Sequence, residues 1–226
     1  MRMFHAVSFA LLSTLLSGAA GAVPIPVLED VTASSYNPDV NHNSNTYQGG
    51  LFVGGNSDGE DNRFYLKFQL PVLTPGTVIT SATLTGYYQD ELFEDIDGLF
   101  GIYLAASDAW SEGAVTWNAQ PGFVGLALDT WDATGAPFAQ YSFDVTAATN
   151  AEYQGDGMLS LVFKEIDESA TSTWEYWHSK EALPDPLNPA EAPFVLDVTI
   201  APVPEPGTGA LLALGLVAVS RLRRRS

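Results

Sequence analysis

The chain contains no cysteine among its 226 residues, and that one absence removes disulfides, thiolate nucleophiles, Cys-ligated zinc and iron–sulfur clusters together. Basic side chains are scarce as well, with 9 Lys and Arg against 27 Asp and Glu, for a formal net charge of −18. A phosphate backbone is bound by cations that displace its counterions, and no basic stretch exists before the last six residues, so nucleic acid is not an expected partner. Histidine is rare too, at 3 residues. No Gly-x-Ser-x-Gly, His-Glu-x-x-His or phosphate-cradling glycine loop occurs. What is present is apolar and aromatic: 46% of the residues are hydrophobic and 12% aromatic, enough to build a packed core without covalent staples.

The two ends have a different character from the body. Residues 1–22 begin Met1-Arg2-Met3, continue as an apolar run over 6–16 and finish with small residues through Ala20-Gly21-Ala22. This is the pattern of a secretory signal peptide, with cleavage expected after Ala22 and the small side chains of Ala20 and Ala22 forming the Ala-x-Ala ending before the cut. At the other end, Pro204-Glu205-Pro206 precedes an apolar or small stretch over 207–220 and a terminal cluster of Arg221, Arg223, Arg224 and Arg225. Fourteen helical residues cover about 21 Å, short of the roughly 30 Å hydrocarbon core. Arginines in that position remain on the cytoplasmic side. Between these ends, residues 23–204 carry four basic side chains (Arg63, Lys67, Lys164, Lys180) and 26 acidic ones, so the exported body has a net charge of −22. Such a surface is soluble and repels anionic polymers unless cations intervene.

The body reads as strands. Over 63–70 the alternation is strict, with Phe64, Leu66, Phe68 and Leu70 on one face and Arg63, Tyr65, Lys67 and Gln69 on the other, which predicts a half-buried antiparallel strand. Period-2 or β-rich stretches recur at 77–88, 101–105, 140–145, 158–164 and 194–200, with shorter candidates at 27–33, 51–54, 114–117 and 172–177. Clusters of Gly, Pro, Asn and Asp separate them. A 3.6 period is limited to a turn or two around 146–153. About ten short strands predict one all-β antiparallel sandwich of jelly-roll type, with long loops at 38–50 and 123–137.

Candidate binding residues follow from chemistry. Sugars present axial C–H faces that stack on aromatic rings. Trp131, in the polar run Asp129-Thr130-Trp131-Asp132, is a stacking candidate, the alternative being an inward loop anchor. Trp174 and Tyr176 share one strand face and form an exposed platform if Trp177 points inward. Trp110 and Trp117, flanked by small and apolar residues, read as packing residues. The acidic run holding Asp90, Glu91, Glu94, Asp95 and Asp97 offers oxygens for a structural calcium ion, against the plainer reading of a solvated acidic loop. With 26 carboxylates in the body, proximity of two of them says nothing about glycosidase chemistry.

Two resemblances add to this reading. Pro204-Glu205-Pro206, the short hydrophobic helix and the arginine cluster, in that order, resemble the PEP-CTERM sorting signal. The resemblance implies recognition and cleavage by an exosortase, and therefore a Gram-negative host that makes exopolysaccharide. The segments Arg63 through Leu70, Trp110-Ser111-Glu112-Gly113-Ala114-Val115-Thr116-Trp117-Asn118-Ala119-Gln120-Pro121, and Trp177-His178-Ser179-Lys180-Glu181-Ala182 are similar to the DNRLRE-type extracellular domain related to carbohydrate-binding module family 96. That implies a non-catalytic β-sandwich that binds extracellular polysaccharide. Phe-Gln-Leu stands at 68–70 where Phe-Asp-Leu is usual, and the naming hexapeptide is reduced to Asp61-Asn62-Arg63.

The organisation expected is a signal peptide at 1–22, a sandwich at 23–201 and a sorting signal at 202–226. Signal peptidase and exosortase are the expected processing partners, the inner membrane a transient contact through the C-terminal helix, and the cell surface or extracellular matrix the destination. The alternatives are a lyase-like or hydrolytic enzyme on the same sandwich and a structural matrix protein without a specific glycan.

Overall fold

The computed structural model describes residues 21–43, 50–55, 59–91, 98–133, 138–168, 174–182 and 192–203. They form eleven strands and one helix: β1 (Gly21–Pro26), β2 (Glu29–Ser34), β3 (Gly50–Gly55), β4 (Asp61–Gln69), β5 (Thr77–Glu91), β6 (Leu99–Ala105), β7 (Phe123–Asp132), β8 (Ala139–Asp144), α1 (Thr146–Tyr153), β9 (Met158–Glu165), β10 (Glu175–His178) and β11 (Val195–Pro202). All strand pairings are antiparallel.

The first sheet is organised by the long β5. Its one side pairs with β8, and its other side pairs with β11 and then β10. Strand β1 extends this sheet beyond β11, with Val23 opposite Val198 and Ile25 opposite Leu196. The second sheet runs β2-β4-β9-β6-β7. Strand β3 belongs to both, pairing with β10 through 50–53 and with β4 through 54–55. Successive strands mostly switch sheets, which is the expected jelly-roll-like behaviour, and the all-β sandwich expectation holds.

Between the sheets lies one core. Phe64, Leu66 and Phe68 of β4 face Leu159, Leu161 and Phe163 of β9, together with Leu84, Leu196, Val198 and Phe194 from the first sheet. Trp177 is fully buried at its centre, touching the rings of Tyr88, Trp131, Tyr141, Phe143, Phe163 and Phe194. A cluster of rings in tilted and edge-to-face contact buries a large apolar area for few ordered side chains. Gly86 is required here: a Cβ on it would sit 2.1 Å from the Phe194 ring.

Four expectations are corrected. Strand β4 is buried on both faces rather than one, with Tyr65 at 0% and Lys67 at 4% exposure, because residues 106–122 fold over the outer face of the second sheet. Residues 114–117 form turns of that covering segment, not a strand. The strand expected over 27–33 starts two residues later, as β2, because Val27 and Leu28 form the link by which the chain passes from β1 in the first sheet to β2 in the second. The run 123–137 is not one long loop: its first ten residues are β7, whose alternation is broken because the register slips between Ile102 and Leu104 of its partner and Gly125 adopts φ 77°. The helical turn expected at 146–153 is α1, its first amide accepted by the Asp144 carboxylate at 2.9 Å.

Candidate functional site

All five tryptophans are candidates for sugar stacking or packing from their flanks, and the geometry separates them. Trp131 is 6% exposed, and its ring makes edge contacts with Tyr88 at 4.9 Å and Trp177 at 4.9 Å. It is an inward anchor of β7, which corrects its reading as an exposed stacking residue. The polar neighbours Thr130 and Asp132 point to the opposite face of the same strand, so a polar run in sequence concealed an alternating one. Trp177 is inward, as expected. Trp174 and Tyr176 are half-buried. Tyr176 stacks on Phe52 at 5.2 Å and 15°, and Trp174 tilts against the same Phe52 at 6.5 Å. Gly50 makes room for this arrangement, since a Cβ there would meet the Tyr176 ring at 1.7 Å. One face of the Tyr176 ring is therefore occupied within the protein.

The acidic run falls largely outside the described residues. The backbones of Asp90 and Glu91 close β5, opposite Tyr176 and Glu175, while Glu94, Asp95 and Asp97 lie outside the described set. So do Ala20, Pro204, Glu205, Pro206 and the arginines at 221 and 223–225. Ala22 is the second residue of β1, paired with Thr199. Among the described residues no helix is long and apolar enough to cross a membrane.

The richest polar and aromatic surface lies on the outer face of the second sheet. Outward positions of β4 and β9 bring Arg63, Tyr65, Lys67, Ser160, Val162 and Lys164 together, so three of the four basic side chains of the body share one face. The covering segment 106–122 interleaves with them. Lys67 Nζ lies 4.2 Å from the Trp110 ring centroid and donates to the Trp110 carbonyl. Trp110 Nε1 donates to Ser160 Oγ at 3.1 Å, and the Arg63 guanidinium sits 4.7 Å over Trp117. The Tyr65 hydroxyl donates to Gln120 Oε1 at 2.8 Å, and Gln120 Nε2 donates to the Trp117 carbonyl at 2.8 Å. Burial pushes the Tyr65 hydroxyl up to about 12, so it stays a donor at any physiological pH. Asn41 Nδ2 ties the segment down from above through the carbonyls of Glu112 and Val115, each at 2.6 Å.

One corner of this face opens to solvent. Arg63 makes a two-point ion pair with Glu168, Nε to Oε1 at 2.6 Å and Nη2 to Oε2 at 2.7 Å. Lys164 Nζ lies 3.7 Å from the same carboxylate. Phe123, 38% exposed, stands beside them, 5.1 Å from Lys164 Nζ and 5.7 Å from the Arg63 guanidinium. Tyr103 packs against Phe123 at 5.0 Å. Burial lowers the Lys164 pKa, with Glu168 acting against that shift. Burial also raises Asp61, with Glu168 adding to it. The corner thus offers an exposed ring next to fixed donors and acceptors of both signs, the composition with which proteins grip a sugar face and its hydroxyls. Sequence reading passed over Arg63, Lys164, Glu168, Gln120 and Phe123. The available signal was the scarcity of cations: in a body with four of them, two on one strand face and a third on a neighbouring strand is itself informative.

Comparison with known proteins bears on both parts of the chain. No curated protein matches it. Among solved structures, the K1 cleaved adhesin domain of Lys-gingipain from Porphyromonas gingivalis W83 aligns at 12% identity over 83% of this chain and 99% of that one, with a TM-score of 0.25. A structure of Mud crab tombus-like virus aligns at 10% identity over 94% and 97%, with a TM-score of 0.26. Scores this low carry no argument about fold or function. The family comparisons do: residues 202–225 match the PEP-CTERM protein-sorting motif, which supports exosortase-dependent export, and residues 22–187 match the sequence model of carbohydrate-binding module family 96. Strand β11, outside that second match, completes the first sheet by pairing β5 with β1. By a match that spans more than half its length, the chain belongs to carbohydrate-binding module family 96, with a PEP-CTERM sorting motif behind the module.

Proposed function

We propose that the protein is an exported, exosortase-processed surface or matrix protein whose sandwich binds the producer's extracellular polysaccharide without catalysis, through the open corner of the second sheet. The observation that carries this reading is the grouping of Phe123 with Arg63, Lys164, Glu168 and Gln120 on one face of a module from a carbohydrate-binding family. The Phe123 ring stacks on a pyranose face, while the Arg63–Glu168 pair and Gln120 bond its hydroxyls. Because both basic groups already have Glu168 as a partner and the body carries a net charge of −22, the corner suits a neutral or weakly charged glycan better than a polyuronate. Trp174 and Tyr176, half-buried on Phe52, offer a smaller second contact surface. No step of bond cleavage is assigned to any residue.

The test is a binding isotherm of the exported protein on the producer's own matrix glycan and on neutral and uronate polymers, with polymer length measured afterwards. Phe123→Ala is expected to weaken retention at least tenfold, equivalent to about 1.4 kcal/mol, with little change in melting temperature because the ring is exposed. Binding unchanged in Phe123→Ala and lost in Trp174→Ala/Tyr176→Ala would move the site to the other edge. Shortened polymer would overturn the non-catalytic reading.

A further inference from the structure

Three carboxylates from separate parts of the chain converge beside β2. Asp30 belongs to β2, Glu112 to the segment 106–122, and Glu181 follows β10. One oxygen from each lies within 4.8 Å of the other two. Oxygens on the shell of a calcium ion, at 2.3–2.6 Å, are at most about 5 Å apart, so the three fit around one ion.

A cluster of acids alone would carry nothing, since this protein is rich in them. The second observation is Asp30 itself. It is 1% exposed; its Oδ2 accepts the Lys180 amide at 2.7 Å, and its Oδ1 is buried with no hydrogen-bond partner. A buried carboxylate oxygen left without a donor is costly and rare. The neighbouring cation does not supply one: Lys180 Nζ pairs with Glu112 and, at 3.2 Å, with Glu181, and no ion pair joins it to Asp30 among the described residues. One ammonium therefore faces three carboxylates.

We propose that Asp30, Glu112 and Glu181 form a binding site for a divalent cation, Ca²⁺. The donors are all oxygens, with no nitrogen or sulfur, which selects a hard ion. They come from three independent segments, which suits the flexible shell of Ca²⁺ better than the near-ideal octahedron that Mg²⁺ demands. Water completes the shell, and the Lys180 ammonium swings out on its flexible stem as the ion enters. The ion then links β2, the covering segment and the turn after β10, clamping the lid on the second sheet. This assignment is independent of the glycan and of where the glycan binds.

The experiment measures Ca²⁺ binding by calorimetry, Tb³⁺ luminescence excited through tryptophan, and melting temperature, on the chelator-treated exported protein. The wild type is expected to show one saturable site and a Ca²⁺-dependent rise in melting temperature of several degrees. Asp30→Asn and Glu112→Gln should each lose both, and a chelator should reverse the rise. Lys180→Gln separates a metal site from a plain ion-pair cluster: it removes a like charge beside a divalent ion and should tighten Ca²⁺ binding by about tenfold. Should Asp30→Asn fail to fold, the Glu112→Gln and Lys180→Gln pair decides alone. No heat and no luminescence in the wild type would overturn the proposal. So would binding that survives Glu112→Gln, or that disappears in Asp156→Asn, which would place the ion at the half-exposed group Asp108, Glu152 and Asp156 or elsewhere.

Discussion

At the scale of single residues, tryptophan position decides between two roles that composition cannot separate. Trp131 and Trp177 are in edge contact at 4.9 Å inside the core, so Trp131→Ala should cost about 3–5 kcal/mol of stability, as deletion of a buried ring does, and a chemical denaturation curve reads it. A loss of glycan retention without loss of stability would return Trp131 to the surface. Asp30 is the second telling residue. Burial pushes its carboxyl up to about 7 from 3.8, with Glu181 adding to the shift and the Lys180 amide and ammonium opposing it. The folded chain therefore keeps a proton that the unfolded chain has released between those two values, and the stability contributed by this group falls as pH rises through that window, levelling off above it. In chelator, Asp30→Asn should be flatter than the wild type in melting temperature from about pH 4 to pH 7; equal slopes would contradict the burial.

At the scale of elements, the strand alternation of 63–70 was legible because period 2 is a local property, and the inward set Phe64, Leu66 and Phe68 is the core set. What covers the other face was not legible: the lid begins some forty residues later, and its tryptophans meet Arg63 and Lys67 only through packing. The same holds for the Asp30, Glu112 and Glu181 group, whose members are remote in sequence, whereas the acidic run at 90–97 drew attention because its residues are neighbours. Strand β7 was hidden by its own bulge at 125–128, which throws Leu126 out to 89% exposure. Two substitutions test the packing of these elements. Trp110→Ala removes the ring that covers Tyr65 and Lys67 and should cost about 2–4 kcal/mol. Gly86→Ala drives a methyl into the Phe194 ring and should cost about 1–3 kcal/mol. Wild-type unfolding midpoints for either variant would deny the contacts described.

At the scale of the whole molecule, the three parts of the chain fit one itinerary. An acidic module without cysteine is independent of redox compartment, and its two sheets are stitched by β3 rather than by disulfides. The PEP-CTERM motif lies directly behind β11, whose last residue, Pro202, still pairs with Thr77, so cleavage near Pro206 would leave the sandwich whole. Cleavage after Ala22 would likewise leave residues 23–26 to pair with β11. Replacing Pro204, Glu205 and Pro206 by alanine is expected to leave the exported protein with its full C-terminal mass and in the membrane fraction, read by intact-mass spectrometry; a processed, released product would contradict exosortase handling.

The central claim is that the module binds extracellular polysaccharide and leaves it intact. The most direct measurement is a binding isotherm of the exported protein on the producer's matrix glycan, paired with the chain length of that glycan before and after incubation. Saturable binding that weakens at least tenfold in Phe123→Ala, over unchanged polymer length, is the predicted result. Absence of saturable binding, or polymer that shortens with time, would contradict it.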